Sequence, residues 1–186
     1  MTRVAGPALS VGRQNALHVI QGQYAVSGDP DAVICTLLGS CVACCLRDPV
    51  LGAGGMNHFL LPEGQAGSES LSYGVNAMEL LINELLRMGA RRERLQAKLF
   101  GGGRLINGIS DIGLKNGDFA KRFLENEGIQ LVGGSLGGDS ARRIEYWPVS
   151  GRARQNVVER AEEVFKTETR ITRAPAPEPA GGLELF

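Results

Sequence analysis

Apolar positions along this chain recur in two rhythms. In "VNAMELLINELLRMGA", Val75, Met78, Leu81, Ile82, Leu85 and Leu86 fall on one 3.6-residue stripe, and Gly89 follows the last of them. That spacing predicts an amphipathic helix stopped by glycine. A second helix is predicted over "GDFAKRFLENE", with Asn116 as its N-cap and Gly128 just past its end. The remaining apolar runs are short and read as strands. "HVIQGQYAVSG" (18–28) alternates as a first strand, and "DAVICTLLGS" (31–40) is a buried strand running into a Gly-Ser turn. "CVACCLR" and "GAGGMNHFLLP" flank an Asp-Pro turn initiator and predict a β-hairpin. "QAKLFGG", "IQLVGG", "RRIEYWPV" and a strand near "RQNVV" complete the set.

Runs of strands with two main helices between them indicate an α+β domain with layered mixed and antiparallel strands, rather than a βαβ repeat. Residues 1–15 lack periodicity and read as a flexible arm, residues 16–160 as the domain. Residues 161–186 read as a charged stretch, able to continue as helix, and then a Pro/Ala-rich tail disordered at its end.

Composition narrows the classes of function. Lys+Arg and Asp+Glu are 20 each, so the formal net charge is zero and gives no footprint for nucleic acid. No apolar run approaches the ~18–20 residues that cross a membrane, and the N-terminus lacks the apolar core of a secretory signal. All four cysteines lie within residues 35–45, where they cannot staple a chain of 186 residues. Free thiols in a reducing cytoplasm fit better.

Three of those cysteines and one of the two histidines share "GSCVACCLRDPVLGAGGMNHF" (39–59). A zinc site needs a second, separated ligand pair, and only Cys35 and His18 remain to supply it, so no metal is expected. A redox C-x-x-C belongs at a helix N-terminus, whereas this one opens a strand. Cys35, Cys44 and Cys45 read as small core-filling thiols. Cys41 differs because Gly39-Ser40 before it is a turn pair. With Asp48–Leu51 as the hairpin loop, Arg47 faces Gly52 and Cys41 faces His58. Directly opposed residues share a face with Cβ atoms roughly 4.5–5.5 Å apart, within reach of a thiol–imidazole hydrogen bond. "FGGGRL" (100–105) lacks the ending of a P-loop and reads instead as backbone turning or close approach to a partner.

"TLLGSCVACCLRDP", "GGMNHFLLP", "KLFGGG", "IGLKNGDFAKRFLENEGI" and "LGGDSARRIEYWPVSG", in that order, resemble the CheD family, the chemoreceptor glutamine deamidases of bacterial chemotaxis. The resemblance runs from about residue 18 to about residue 158. It implies a fold related to bacterial deamidase toxins and a Cys-His-Thr triad, with Cys41 as nucleophile, His58 as base and Thr36 as third member. It also implies hydrolysis of receptor glutamine side chains to glutamate without a cofactor, substrates on receptor cytoplasmic helices, and a CheC-type phosphatase as possible partner. In such a mechanism His58 holds Cys41 as thiolate, and backbone N–H groups around Gly39, Ser40 and Cys41 receive the oxyanion. Two other readings stay open: a binding module that regulates a phosphatase or receptor with little catalysis, and a cysteine amidohydrolase acting on other proteins.

Overall fold

The structure is a computed structural model and describes residues 2–5, 16–61, 68–104 and 111–158. In chain order its elements are β1 (Thr2–Ala5), β2 (Ala16–His18), β3 (Tyr24–Ser27), β4 (Val33–Leu38), β5 (Val42–Asp48), β6 (Ala53–Phe59), α1 (Ser68–Arg87), β7 (Gln96–Gly101), α2 (Ile112–Asn126), β8 (Gln130–Leu136), β9 (Ala141–Trp147) and β10 (Arg152–Val158). A six-stranded sheet has the order β1-β3-β6-β5-β7-β8, and a four-stranded sheet the order β10-β9-β4-β2. Helix α1 packs across β3 and β6, and α2 across β5, β7 and β8. Helices thus cover one face of the larger sheet, and the smaller sheet covers the other.

The α+β expectation holds and differs in detail. The segment expected as one strand over 18–28 breaks at Gly22 into β2 and β3, which belong to different sheets. Strands β7 and β8 run parallel with α2 between them, a single βαβ unit within the mixed sheet. Part of the N-terminal arm, Thr2–Ala5, pairs with β3 as an edge strand. Residues 159–186, including the expected helical extension and Pro-rich tail, lie outside the described residues, as do 6–15.

Strands β5 and β6 are buried along nearly their whole length because both faces of the sheet are covered. Val42, Cys44 and Leu46 face the helices with Phe59, Met78, Leu81, Ile82 and Leu85. Cys41, Ala43 and Cys45 face the smaller sheet with Met56, Ile34, Leu38 and Tyr146. Each large apolar side chain buried in this way contributes about 1.5–3 kcal/mol. Val75 departs from the predicted stripe and is exposed. Both helices stop as their glycines predict. Ala90 N–H bonds the Leu85 carbonyl and Gly89 N–H that of Leu86; Ile129 and Gly128 repeat the pattern on Leu124 and Glu125.

The hairpin register differs from expectation. Asp48 pairs with Ala53 and Ala43 with His58, which shifts the partner of each residue by two. The cause is Asp48, whose carboxylate accepts the N–H groups of Val50 and Leu51 and so moves the loop one residue on, to Pro49–Gly52. A shift of two preserves the face, so Cys41 and His58 remain on the same side, diagonal rather than opposed. Burial pushes the Asp48 carboxyl up, but the Arg91 N–H, the Arg94 guanidinium at 2.6 Å and the two loop N–H groups outweigh it and hold its pKa at about 2.

Candidate active site

Cys41 stands where the chain leaves one sheet for the other. The bend Gly39-Ser40-Cys41 joins β4 of the smaller sheet to β5 of the larger one. Every carbonyl of that bend is held. Gly103 N–H bonds the Gly39 carbonyl at 2.8 Å and Gly102 N–H that of Cys41 at 2.7 Å. The Asn116 side-chain amide donates to the Ser40 carbonyl at 3.0 Å. With the carbonyls tied, the peptide planes that follow are fixed, and so are the directions of the Ser40, Cys41 and Val42 N–H groups. The glycines of "FGGG" are needed for this approach. Gly101 has φ +104°, and a Cβ placed on it would lie 2.2 Å from the Cys41 carbonyl oxygen.

His58 reaches the same layer from β6. Its ring is bonded across the gap between sheets to Thr36 of β4, with Oγ1 2.8 Å from Nδ1. The Thr36 hydroxyl donates its one proton to the Val19 carbonyl at 2.7 Å. It can therefore only accept from the ring, so Nδ1 carries hydrogen and Nε2 is left with its lone pair. Nε2 is buried and has no hydrogen-bond partner among the described residues. Burial pushes the His58 pKa down to about 4, although the Val19 carbonyl works the other way. At neutral pH the imidazole is uncharged, so Nε2 can accept a proton.

Thr36, Cys41 and His58 are each at least 95% removed from solvent, their exposures being 5%, 0% and 3%. One further side chain meets the thiol. Cys41 Sγ lies 3.7 Å from Gln21 Oε1, a thiol–carbonyl hydrogen bond. Burial raises the Tyr73 pKa, and a charge on Cys41 would raise it further. All four cysteines are free thiols. Burial pushes the Cys44 and Cys45 thiols far above their ordinary range, and Lys98 only partly offsets this at Cys45. These two belong to the core, as their sequence context suggested.

Asn116 was read as an N-cap, but it is fully buried inside α2 and has a different job. Its Oδ1 accepts from Leu61 N–H at 2.9 Å while its amide donates to Ser40. One side chain thereby ties the end of the histidine strand to the cysteine bend. Among the described residues no group of three or more His, Cys, Asp or Glu side chains is placed to share a metal ion. No described helix is long and apolar enough to cross a membrane.

A histidine whose Nδ1 is bonded to a hydroxyl, in one buried layer with a clamped cysteine, is an arrangement suited to acyl transfer through sulfur. Comparison with known proteins gives the family. Residues 60–156 match the family described as CheD chemotactic sensory transduction. The chain is 52% identical to the probable chemoreceptor glutamine deamidase CheD of Acidiphilium cryptum, over 100% of both chains. It is 53% identical to the Caulobacter sp. (strain K31) protein of that name over 98% of this chain and 95% of the other. To its counterpart in Agrobacterium fabrum it is 55% identical, over 91% and 96%. Likeness to a solved structure, Bacillus licheniformis YfiH, is slight, with a TM-score of 0.40 and 16% identity over 59% of this chain and 49% of that one. The chain belongs to the CheD family.

Proposed function

We propose that this protein deamidates glutamine side chains of chemoreceptors, with Cys41 as nucleophile, His58 as general base and acid, and Thr36 as the residue that positions His58. The observation that carries the mechanism is the relay from the Val19 carbonyl through the Thr36 hydroxyl to Nδ1 of His58, which leaves Nε2 free to take a proton. Family membership supports the substrate, since the relatives named above carry chemoreceptor glutamine deamidase in their names.

The reaction begins as a substrate carboxamide enters the layer. Nε2 takes the Cys41 proton as sulfur attacks the amide carbon, so thiolate forms during attack rather than in the resting enzyme. The tetrahedral oxyanion is received by N–H groups of the Gly39-Ser40-Cys41 bend, those of Ser40 and Cys41 being oriented in advance by the bonded carbonyls before them. Protonated His58 then gives its proton to the departing nitrogen and ammonia leaves. Water, deprotonated by Nε2, hydrolyses the thioester to glutamate and frees the thiol. Thr36 is neutral and stabilises imidazolium less than a buried carboxylate would, so turnover is modest.

The substrate glutamines lie on receptor cytoplasmic helices, and a cytoplasmic location follows from that reading. A CheC-type phosphatase is proposed as a partner that competes for the same face. The deciding measurement is mass spectrometry of a receptor cytoplasmic fragment incubated with the protein. A Gln-to-Glu mass change with matching ammonia release and no chain cleavage is expected. Cleavage, or an unmodified fragment, would reject the reading. With phosphatase added, apparent KM should rise while kcat holds; a fall in kcat alone would place that partner elsewhere.

A further inference from the structure

The buried nucleophile raises a question of access, because a substrate carboxamide must come to a sulfur with no exposed surface. The sulfur already has a carboxamide beside it. Gln21 Oε1 lies 3.7 Å from Cys41 Sγ and accepts from the thiol. This is not a loose surface contact. The turn that carries Gln21 is closed by Gln23 N–H on the Ile20 carbonyl at 2.9 Å, and Ile20 N–H bonds the Gln23 side chain. Gly22 follows with φ +83°, the left-handed value that a type II turn requires at its third position. The turn is also fastened to the catalytic strand on both sides. Gly22 N–H bonds the His58 carbonyl at 2.8 Å, and His58 N–H bonds the Gln23 carbonyl at 3.0 Å. On the other side, a Cβ placed on Gly22 would lie 3.5 Å from the Tyr73 hydroxyl, so the turn and α1 meet there.

We propose that Gln21 is an access- and specificity-determining residue whose carboxamide occupies the substrate carboxamide's place in the resting enzyme and is displaced when substrate binds. The backbone of the turn is bonded to His58 and stays, so displacement is a rotation of the Gln21 side chain. Exchange of one primary carboxamide for another keeps the thiol hydrogen-bonded throughout. A carboxylate in that place would sit beside the forming thiolate and be repelled, which favours release of the glutamate product. The inference rests on Cys41 as the nucleophile.

The test measures the rate at which iodoacetamide alkylates Cys41, read on its own peptide, in wild-type, Gln21→Ala and Gln21→Glu proteins of matched circular dichroism. Gln21→Ala should react about fivefold faster, the factor that a net hydrogen bond of ~1 kcal/mol represents. Gln21→Glu should react more slowly than wild type, because a neighbouring carboxylate raises a thiol pKa. With a receptor cytoplasmic fragment as substrate, Gln21→Ala should lower KM and hold kcat within about twofold. Equal alkylation rates in all three proteins would overturn the proposal. A collapse of kcat in Gln21→Ala with KM unchanged would also overturn it, since Gln21 would then serve the transition state. Alkylation needs no turnover, so these rates are independent of the nucleophile reading, which fails separately if Cys41→Ala still releases ammonia.

Discussion

Cys41 and Cys44 lie one helical turn's worth of residues apart in sequence, yet the fold treats their sulfurs in opposite ways. Cys44 faces the helices among Val42, Leu46, Phe59 and Met78, and burial keeps its thiol protonated far beyond the ordinary range. Cys41 lies at the corner between sheets, bonded through sulfur to a carboxamide and held through its backbone by a loop from β7. Both are fully buried, so exposure does not separate them. What separates them is the polar company each receives from distant elements. An apolar layer makes cysteine a small hydrophobe, whereas a layer crossed by Thr36, His58 and Gln21 gives the sulfur polar partners, the setting the proposed nucleophile needs.

The contrast breaks first at the sulfurs themselves. Cys41→Ala should reduce ammonia release by about 10⁶-fold, as loss of a nucleophile does elsewhere. Cys44→Ala should keep turnover and cost about 1–2 kcal/mol of packing, read from urea melts. Equal loss at both positions would end the comparison.

The clamp comes next. Gly101→Ala forces a Cβ to 2.2 Å from the Cys41 carbonyl oxygen at φ +104°, and should cost at least about 3 kcal/mol together with most activity. Gly128→Ala is the control, with φ +64° and nothing within 4 Å, and should cost about 1 kcal/mol and leave activity intact. A tolerant Gly101 would mean that the bend holds its shape without the loop.

His58 supplies a pH test. Its native pKa of about 4 lies below the ordinary 6.5, so the unfolded chain binds the proton more readily. Its contribution to stability is therefore complete above the ordinary value and is lost as pH falls from 6.5 toward 4, by roughly 3 kcal/mol. His58→Gln, compared with wild type in denaturant melts across that window, should lack this slope. The acid limb of kcat/KM should likewise fall near pH 4 and not near 6.5, because the neutral ring is the working form.

The smallest effect is expected at Thr36. Thr36→Val removes the acceptor for Nδ1 and should lower kcat about 10²-fold, less than loss of a charged orienting partner costs. Thr36→Ser retains the hydroxyl and should recover most of that loss. No recovery would assign Thr36 to packing.

Much of this site was legible in the sequence because its chemistry uses few residue types. A Gly-Ser turn before Cys41 and a hairpin returning His58 placed the dyad on one face, and only the register was off by two. Hydrophobic pattern cannot detect such a shift, since it preserves the face; the Asp48 side chain decides it. Thr36 came from family resemblance, and the His58–Thr36 bond joins two sheets whose packing no local pattern reveals. Asn116 was misread because a polar residue ahead of an apolar run looks like a cap, whereas the helix begins at Ile112. Gln21 and Tyr73 lay outside every motif. The one signal near them was Gln21-Gly22, a turn pair inside an alternating run read as one strand.

The origins of the clamp also set when the site can exist during synthesis. Thr36, Cys41 and His58 are all made within the first third of the chain, but Gly101, Gly102, Gly103 and Asn116 emerge from the ribosome long afterwards. A nascent chain thus carries all three residues of the proposed triad without the contacts that arrange them. Its thiol should alkylate at the rate of an ordinary cysteine until the β7 loop and α2 have been translated. Ribosome-bound chains stalled before and after Asn116 would show that step, and the delay would spare neighbouring proteins from a half-built deamidase.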